Sequence, residues 1–203
     1  MGTIRQSLLQ YLLPNRLIWI SLGGFILAGC QSPGADLPPL PDAPMRAYRL
    51  GSGDQVRILV FGEDQLSGEY RVNDTGRIAL PLIGAVRAAG SSTTELEGTV
   101  TGGLKKAGML RDPSVAVEVI AYRPIFVLGE VNKPGQYPYQ PGMTVVTAVA
   151  VAGGFTYRAI DEYAAVVRSF DSGTPEGRAV EGKASRQSFV QPGDVITIFE
   201  RRF

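Results

Sequence analysis

Histidine is absent from all 203 residues of the chain. Without it there is no Ser-His-Asp triad, no imidazole general base and none of the usual histidine zinc sites. Cysteine occurs once, at position 30, so no disulfide can form within the chain and thiol or redox chemistry would rest on that residue alone. Charge of one sign is not in excess either: 20 Lys and Arg stand against 19 Asp and Glu. That balance lacks the basic footprint of a nucleic-acid binder, and a 44% hydrophobic content is not that of a disordered chain. The apolar run from Leu17 to Ala28 covers about twelve residues, short of the roughly 20 that cross a bilayer as a helix. Carboxylates are plentiful, but no spacing marks an acid–base pair. An enzyme, a metal site or a cofactor is therefore not expected, and a carboxylate-pair hydrolase would need its two acids brought together in a cleft.

What is present begins with the position of that cysteine. Arg5 and Arg16, with no acidic residue nearby, precede the apolar run, and small residues follow it, which is the layout of a secretory signal. Leu27-Ala28-Gly29-Cys30 resembles the bacterial lipobox, in which cleavage before the cysteine leaves an acylated N-terminus. Gln31, where an Asp is absent, resembles lipoproteins sent on to the outer membrane. Residues 1–29 are expected to be a lipoprotein signal peptide and Cys30 the lipid-attachment site. Loss of Arg5 and Arg16 with the leader shifts the net charge to about −1. Residues 30–45 carry Pro33, Pro38, Pro39, Pro41 and Pro44 and read as an extended tether, reaching on the order of 40 Å if in polyproline II form.

Two folded units follow. In the first, Gly51-Ser52-Gly53-Asp54 turns into an alternating strand with Val56, Ile58 and Val60 on one face and Arg57, Leu59 and Phe61 on the other. Asn73-Asp74-Thr75-Gly76 turns into a short strand, Arg77 to Gly84, that Pro81 ends or leaves on an edge. Ser92-Thr93-Thr94-Glu95 has capping-box spacing, and Leu96, Val100 and Leu104 continue at helical intervals to Gly108. Asp112-Pro113 restarts a strand through Val115, Val117 and Val119.

In the second unit, from about Tyr122, Ile125 to Val131 is strand-like, Asn132-Lys133-Pro134-Gly135 turns, and Gln136 to Tyr139 returns near an edge. Thr144 to Val151, between Pro141-Gly142 and Gly153-Gly154, is a short buried helix. Ala164 to Arg168 is a strand, Asp171 to Ser185 a polar loop, and Pro192-Gly193-Asp194 opens a last strand from Val195 to Phe199. Gly53-Asp54 and Gly193-Asp194 echo one another before their strands, with both aspartates read as turn formers rather than ligands. The fold class is α+β: two small mixed domains, mostly β with short helices.

Tyr48 to Asp54, Gly76 to Gly84 and Asp112 to Val117 resemble, in order and spacing, the export domain of the Wza-like and GumB-like outer-membrane polysaccharide export lipoproteins. Val127 to Tyr137, Ala152-Gly153-Gly154-Phe155 and Pro192 to Ile196 resemble that family's SLBB domain, a β-grasp fold. The resemblance implies an export domain at 46–121 and an SLBB domain at 122–203. It further implies a homo-oligomeric ring, octameric in the best-known relatives, beneath the outer membrane of a Gram-negative bacterium. Polysaccharide would be the transported substrate and an inner-membrane copolymerase the partner, with no nucleic acid involved. A ring needs heterologous contacts that close on themselves, and passage of a long hydrated polymer needs a polar, weakly binding path. A monomeric glycan-binding or adaptor lipoprotein is the alternative.

Longer relatives continue into another β-grasp domain and a pore-lining helix, whereas only four residues follow Phe199 here, so the sequence leads one to expect no transmembrane pore of that kind. Arg77, Arg123 and Arg158 are candidates to face a channel and touch anionic sugars, a solvated surface being the other place for them. Tyr137 and Tyr139 belong either to an edge strand or to a subunit interface.

Overall fold

The computed structural model describes residues 32–41, 48–108, 110–170 and 178–201. The expected signal peptide, Cys30 and the 42–45 end of the proline-rich stretch lie outside the described residues. The architecture is α+β and mostly β, with two hydrophobic cores.

The first core is built on the alternating strand. Val56, Ile58 and Val60 of β1 (Gln55–Val60) are buried, while Leu59 and Phe61 face outward. β1 pairs antiparallel with β2 (Gly68–Arg71) on one side and β5 (Val115–Ala121) on the other. A hairpin of β3 (Arg77–Leu80) and β4 (Gly84–Arg87) and the helix α1 (Thr93–Lys106) complete the unit. The expected strand from Arg77 to Gly84 is thus two strands. The chain reverses through Pro81 to Ile83, with Leu82 exposed at φ +70°, because Pro81 cannot donate to the ladder.

Helix α1 starts as its spacing predicts. Ser92 Oγ accepts from the Glu95 N–H at 3.2 Å, and Glu95 Oε2 accepts from the Ser92 N–H at 2.9 Å. That backbone bond, followed by the Arg49 guanidinium, holds the Glu95 carboxyl below its ordinary pKa. Leu96, Val100 and Leu104 form its buried stripe against Val56, Ile58 and Ile78. From the flank of the same helix, Glu97 Oε1 accepts the Val117 N–H at 2.9 Å. This satisfies one donor of the edge strand β5.

The second core is a five-stranded sheet of order β7-β6-β10-β8-β9. Its strands are β6 (Ile125–Gly129), β7 (Gly135–Tyr137), β8 (Tyr163–Phe170), β9 (Arg178–Ser185) and β10 (Val195–Ile198). β10, the last in sequence, lies parallel to β6 and antiparallel to β8 at the centre. Helix α2 (Val145–Val151) buries Val145, Ala148 and Val149 against Ile125, Val127, Val166, Ile196 and Ile198. A Thr144/Thr147 capping box starts it despite the weak helix propensity of its valines.

Two further features differ from the sequence expectation, and each explains the other. Residues 178–185, expected as loop, form β9, paired along its length with β8 from Tyr163↔Ser185 to Phe170↔Arg178. The inward positions of β9 include Gly182 and Ala184, so its alternation is written in small residues and carries little hydrophobic signal. Gly182 has no room for a side chain because the proline-rich segment lies over it, and Ala184 is buried in the core. Residues 32–41 are not a free tether. Lys183 N–H donates to Pro38 O at 2.7 Å and Leu40 N–H to Lys183 O at 2.8 Å, and Leu40 packs on the second core. Tyr163 hydroxyl donates to Pro33 O at 2.9 Å and Lys183 Nζ to Ala35 O at 3.0 Å. This strap covers part of the β9 edge, which would otherwise offer unpaired backbone groups.

A Cβ on Gly182 would lie 2.7 Å from Leu40 Cα, so Gly182→Val should expel the strap while suiting the strand itself. Limited proteolysis should then cut within residues 32–41 rapidly and leave the remaining body resistant. Wild-type protection of the segment in that variant would contradict the assignment.

Candidate functional site

The two cores meet at the connector Tyr122-Arg123-Pro124, which the two echoing turns grip from either side. In the first turn Asp54 is fully buried. Its Oδ2 accepts from the Gly51 N–H at 2.8 Å and the Tyr48 hydroxyl at 2.5 Å, and its Oδ1 accepts the Arg123 N–H at 2.8 Å. In the second turn Gly193 N–H donates to Pro124 O at 3.1 Å, and Phe126 N–H to Asp194 O at 3.0 Å. Gly53 and Gly193 take φ +101° and +86°, a conformation open to glycine at no steric cost.

The aspartates share a local pattern and diverge beyond it. Asp194 Oδ2 accepts the Gln191 N–H at 2.8 Å, as Asp54 accepts that of Gly51. Its remaining capacity goes to Arg168, whose Nε lies 3.0 Å from Oδ1 and Nη2 2.8 Å from Oδ2. Arg168 and Asp194 side chains are 2% and 1% exposed. Arg168 Nη2 also donates to Phe189 O at 3.0 Å, so the buried ions are saturated with partners, as burial requires. Edge-to-face contacts Tyr48–Tyr122 (5.0 Å) and Tyr122–Tyr139 (5.4 Å) run across the same seam. Burial, reinforced by the bond to Asp54, pushes the Tyr48 hydroxyl far above its ordinary pKa, and burial also raises that of Tyr139. Such an arrangement locks two bodies together; with both carboxylates occupied it presents no reacting group.

The three candidate arginines sit on three different elements. Arg77 is exposed at the start of β3, directly opposite Arg87 of β4. Arg123 is half-buried in the connector, its guanidinium lying where a Cβ on Gly51 would be. Arg158 is half-exposed in the loop after α2 and pairs with Glu200. Of the two tyrosines, Tyr137 donates to Lys133 O at 2.5 Å and Tyr139 belongs to the seam.

Sequence reasoning did not single out Arg168, although the signal was there: it stands two residues beyond Val166 and four beyond Ala164, on the inward face of a strand. Tyr48 and Tyr122 lacked any local signal, since only the fold brings them together. A shallow depression of about 300 Å³ is lined by Ser32, Ile160, Asp161, Glu162, Tyr163 and Arg201. Among the described residues no group of three His, Cys, Asp or Glu side chains is placed to hold a metal ion, and no helix is long and apolar enough to cross a membrane.

Residues 42–120 match the family model for polysaccharide biosynthesis/export proteins, and residues 124–179 match the SLBB domain. By both of its domains the chain belongs to the polysaccharide export family. The exopolysaccharide production protein ExoF of Rhizobium meliloti is 36% identical over 140 residues, which are 64% of this chain and 32% of that protein. The EPS I polysaccharide export outer membrane protein EpsA of Ralstonia nicotianae is 33% identical over 147 residues, 59% of this chain and 38% of the relative. The polysialic acid transport protein KpsD of Escherichia coli is 28% identical over 109 residues, 53% of this chain and 19% of its own length. The chain therefore spans well under half the length of these curated relatives. In this chain the gripped connector falls between the two matched stretches, and β10, the central strand of the second sheet, lies beyond the residues matched to the SLBB domain.

Removing Arg168 strands the Asp194 charge in the core, so Arg168→Ala should cost about 3–5 kcal/mol, read as a lower urea midpoint. A change below about 1 kcal/mol, the range of exposed ion pairs, would show that the pair is not buried in solution.

Proposed function

We propose that this chain is a lipid-anchored component of a capsular or exopolysaccharide export channel, with its body in the periplasm and its anchor in the outer membrane. In this reading residues 1–29 are a signal peptide, Cys30 carries the acyl chains, and residues 46–121 and 122–203 are the export and SLBB domains. Copies of the chain form a closed ring that receives polymer from an inner-membrane copolymerase and passes it toward the cell surface, without enzymatic activity. The observation that carries this reading is the order of an export domain and then an SLBB domain, shared with relatives whose names record polysaccharide export at the outer membrane. The saturated ion pairs and shallow surface support it: a conduit for a long hydrated chain works best when no site holds the chain tightly. Arg77, with Arg87 opposite, and Arg158 are the side chains we assign to passing contact with anionic sugars. Arg123 is assigned there with its guanidinium between the two glycine turns.

Deletion of the gene should abolish secreted polysaccharide and leave polymer or intermediates in the cell. Normal secretion from a clean deletion lacking a paralogue would overturn the proposal. Mass measurement of the solubilised mature protein separates the ring from a monomeric glycan-binding or adaptor lipoprotein, since a monomer at every concentration is incompatible with the ring. Cys30→Ala should release the protein from the membrane fraction and impair export while leaving the circular dichroism and melting of the body unchanged. Full membrane retention in that variant would contradict acylation at Cys30.

A further inference from the structure

The strap fixes where the start of the mature chain leaves the folded body. Ser32 lines the depression at one end of the second sheet together with Ile160, Asp161, Glu162, Tyr163 and Arg201. Pro33 is held there by the Tyr163 hydroxyl, and Gly34 lies against the Phe199 ring, where even a Cβ would overlap it. Two peptide steps separate Cys30 from Ser32, a span of at most about 7 Å. An acyl chain on Cys30 therefore draws this end of the sheet to the bilayer surface rather than leaving the body on a long leash.

The groups at that end suit such a surface. The segment 156–163 runs antiparallel beside the chain terminus: Ile160 N–H donates to Phe199 O at 2.9 Å and Arg201 N–H to Arg158 O at 2.7 Å. Its most prominent side chain is Tyr157, 90% exposed. An aromatic of this kind, with an apolar ring and a polar tip, finds its favoured place at the level of lipid headgroups. Around it, among the described residues, the arginines are paired. Arg158 pairs with Glu200, and Arg186 and Arg201 both approach Asp161, at 3.4 and 3.7 Å. Arginines already held by carboxylates have little free charge to offer anionic headgroups, so contact with lipid would be interfacial rather than Coulombic.

We infer that the end of the SLBB sheet carrying Tyr157 rests on the bilayer to which Cys30 is anchored, with the Tyr157 ring in the headgroup layer. This deepens the proposed function and rests on acylation of Cys30.

The chain's single tryptophan, Trp19, lies in the leader, so Tyr157→Trp gives the processed lipoprotein a single indole, which can be excited apart from its tyrosines. In phosphatidylethanolamine–phosphatidylglycerol vesicles its emission should shift to the blue and be largely quenched by lipids brominated near the headgroup end of the acyl chain, at low and high salt alike. Phe61→Trp, on the outer face of β1 in the export domain, should remain unquenched. Adding Gly182→Val to Tyr157→Trp should return the signal toward that unquenched level, because the strap no longer sets the anchor beside the sheet. Tyr157→Trp protein that floats with the vesicles while its indole stays unquenched overturns the inference and leaves anchoring intact. A blue shift without bromine quenching also overturns it, assigning Tyr157 to a second copy, as does equal quenching at both positions. Failure to float at all removes the anchor and this placement together.

Discussion

The buried Asp54 carboxylate is the interaction on which the arrangement of the two cores depends. A carboxylate at zero exposure survives only if its oxygens are occupied, and one of the three donors that occupy it, the Arg123 N–H, belongs to the connector. Hydrogen bonds to a charged group contribute about 1.5–3 kcal/mol each, so the connector is held by more than the stiffness of its proline. The second turn takes hold of the next carbonyl along, that of Pro124. Two turns of the same design, one from each end of the described body, thus close on the connector at Arg123 and Pro124. The edge-to-face tyrosines add a directional contact across the seam. Such a joint holds the two domains in one fixed relation, which a flexible linker between them would not do.

Legibility from sequence followed the physical origin of each signal. β1 was readable because large branched side chains alternate with polar or exposed ones, and α1 because its cap and its stripe of Leu96, Val100 and Leu104 point to one helix. α2 was readable through its punctuation by glycine and proline rather than through propensity. β9 was not, because its buried positions include Gly182, which admits the backbone at Leu40, and Ala184, and small residues leave hydrophobic periodicity blank. β4 was absorbed into β3 because Leu82 adopts a backbone conformation that side chains rarely take, and no residue type announces it. The proline-rich segment looked like a spacer since its composition speaks of extension. Composition is silent on whether an extended segment lies in solvent or along a sheet edge.

At the candidate site the legible part was the chemistry and the illegible part the assembly. Asp54 and Asp194 stood out as turn residues, and so they are, but the partners that make them matter come from elsewhere in the chain: Arg123 is 69 residues beyond Asp54, and Arg168 is 26 residues before Asp194. The three arginines chosen as sugar contacts had no such constraint in view. The structure divides them among a hairpin, a joint and a loop, which shows how little an isolated arginine says without its neighbours.

The strap also sets an order of events. Its contacts join Pro33 to Tyr163 and Ala35 to Lys183, 130 and 148 residues apart, and the sheet that receives it is completed only when β10, near the chain's end, enters between β6 and β8. Hairpins and helices close over short loops, whereas pairings this distant incur the largest closure entropy and form late. The first residues of the strap to emerge during synthesis are consequently among the last to be seated. Docking of the strap therefore reports that the second sheet is finished, so a half-folded chain would still trail its N-terminal end at the full length of an unbound segment.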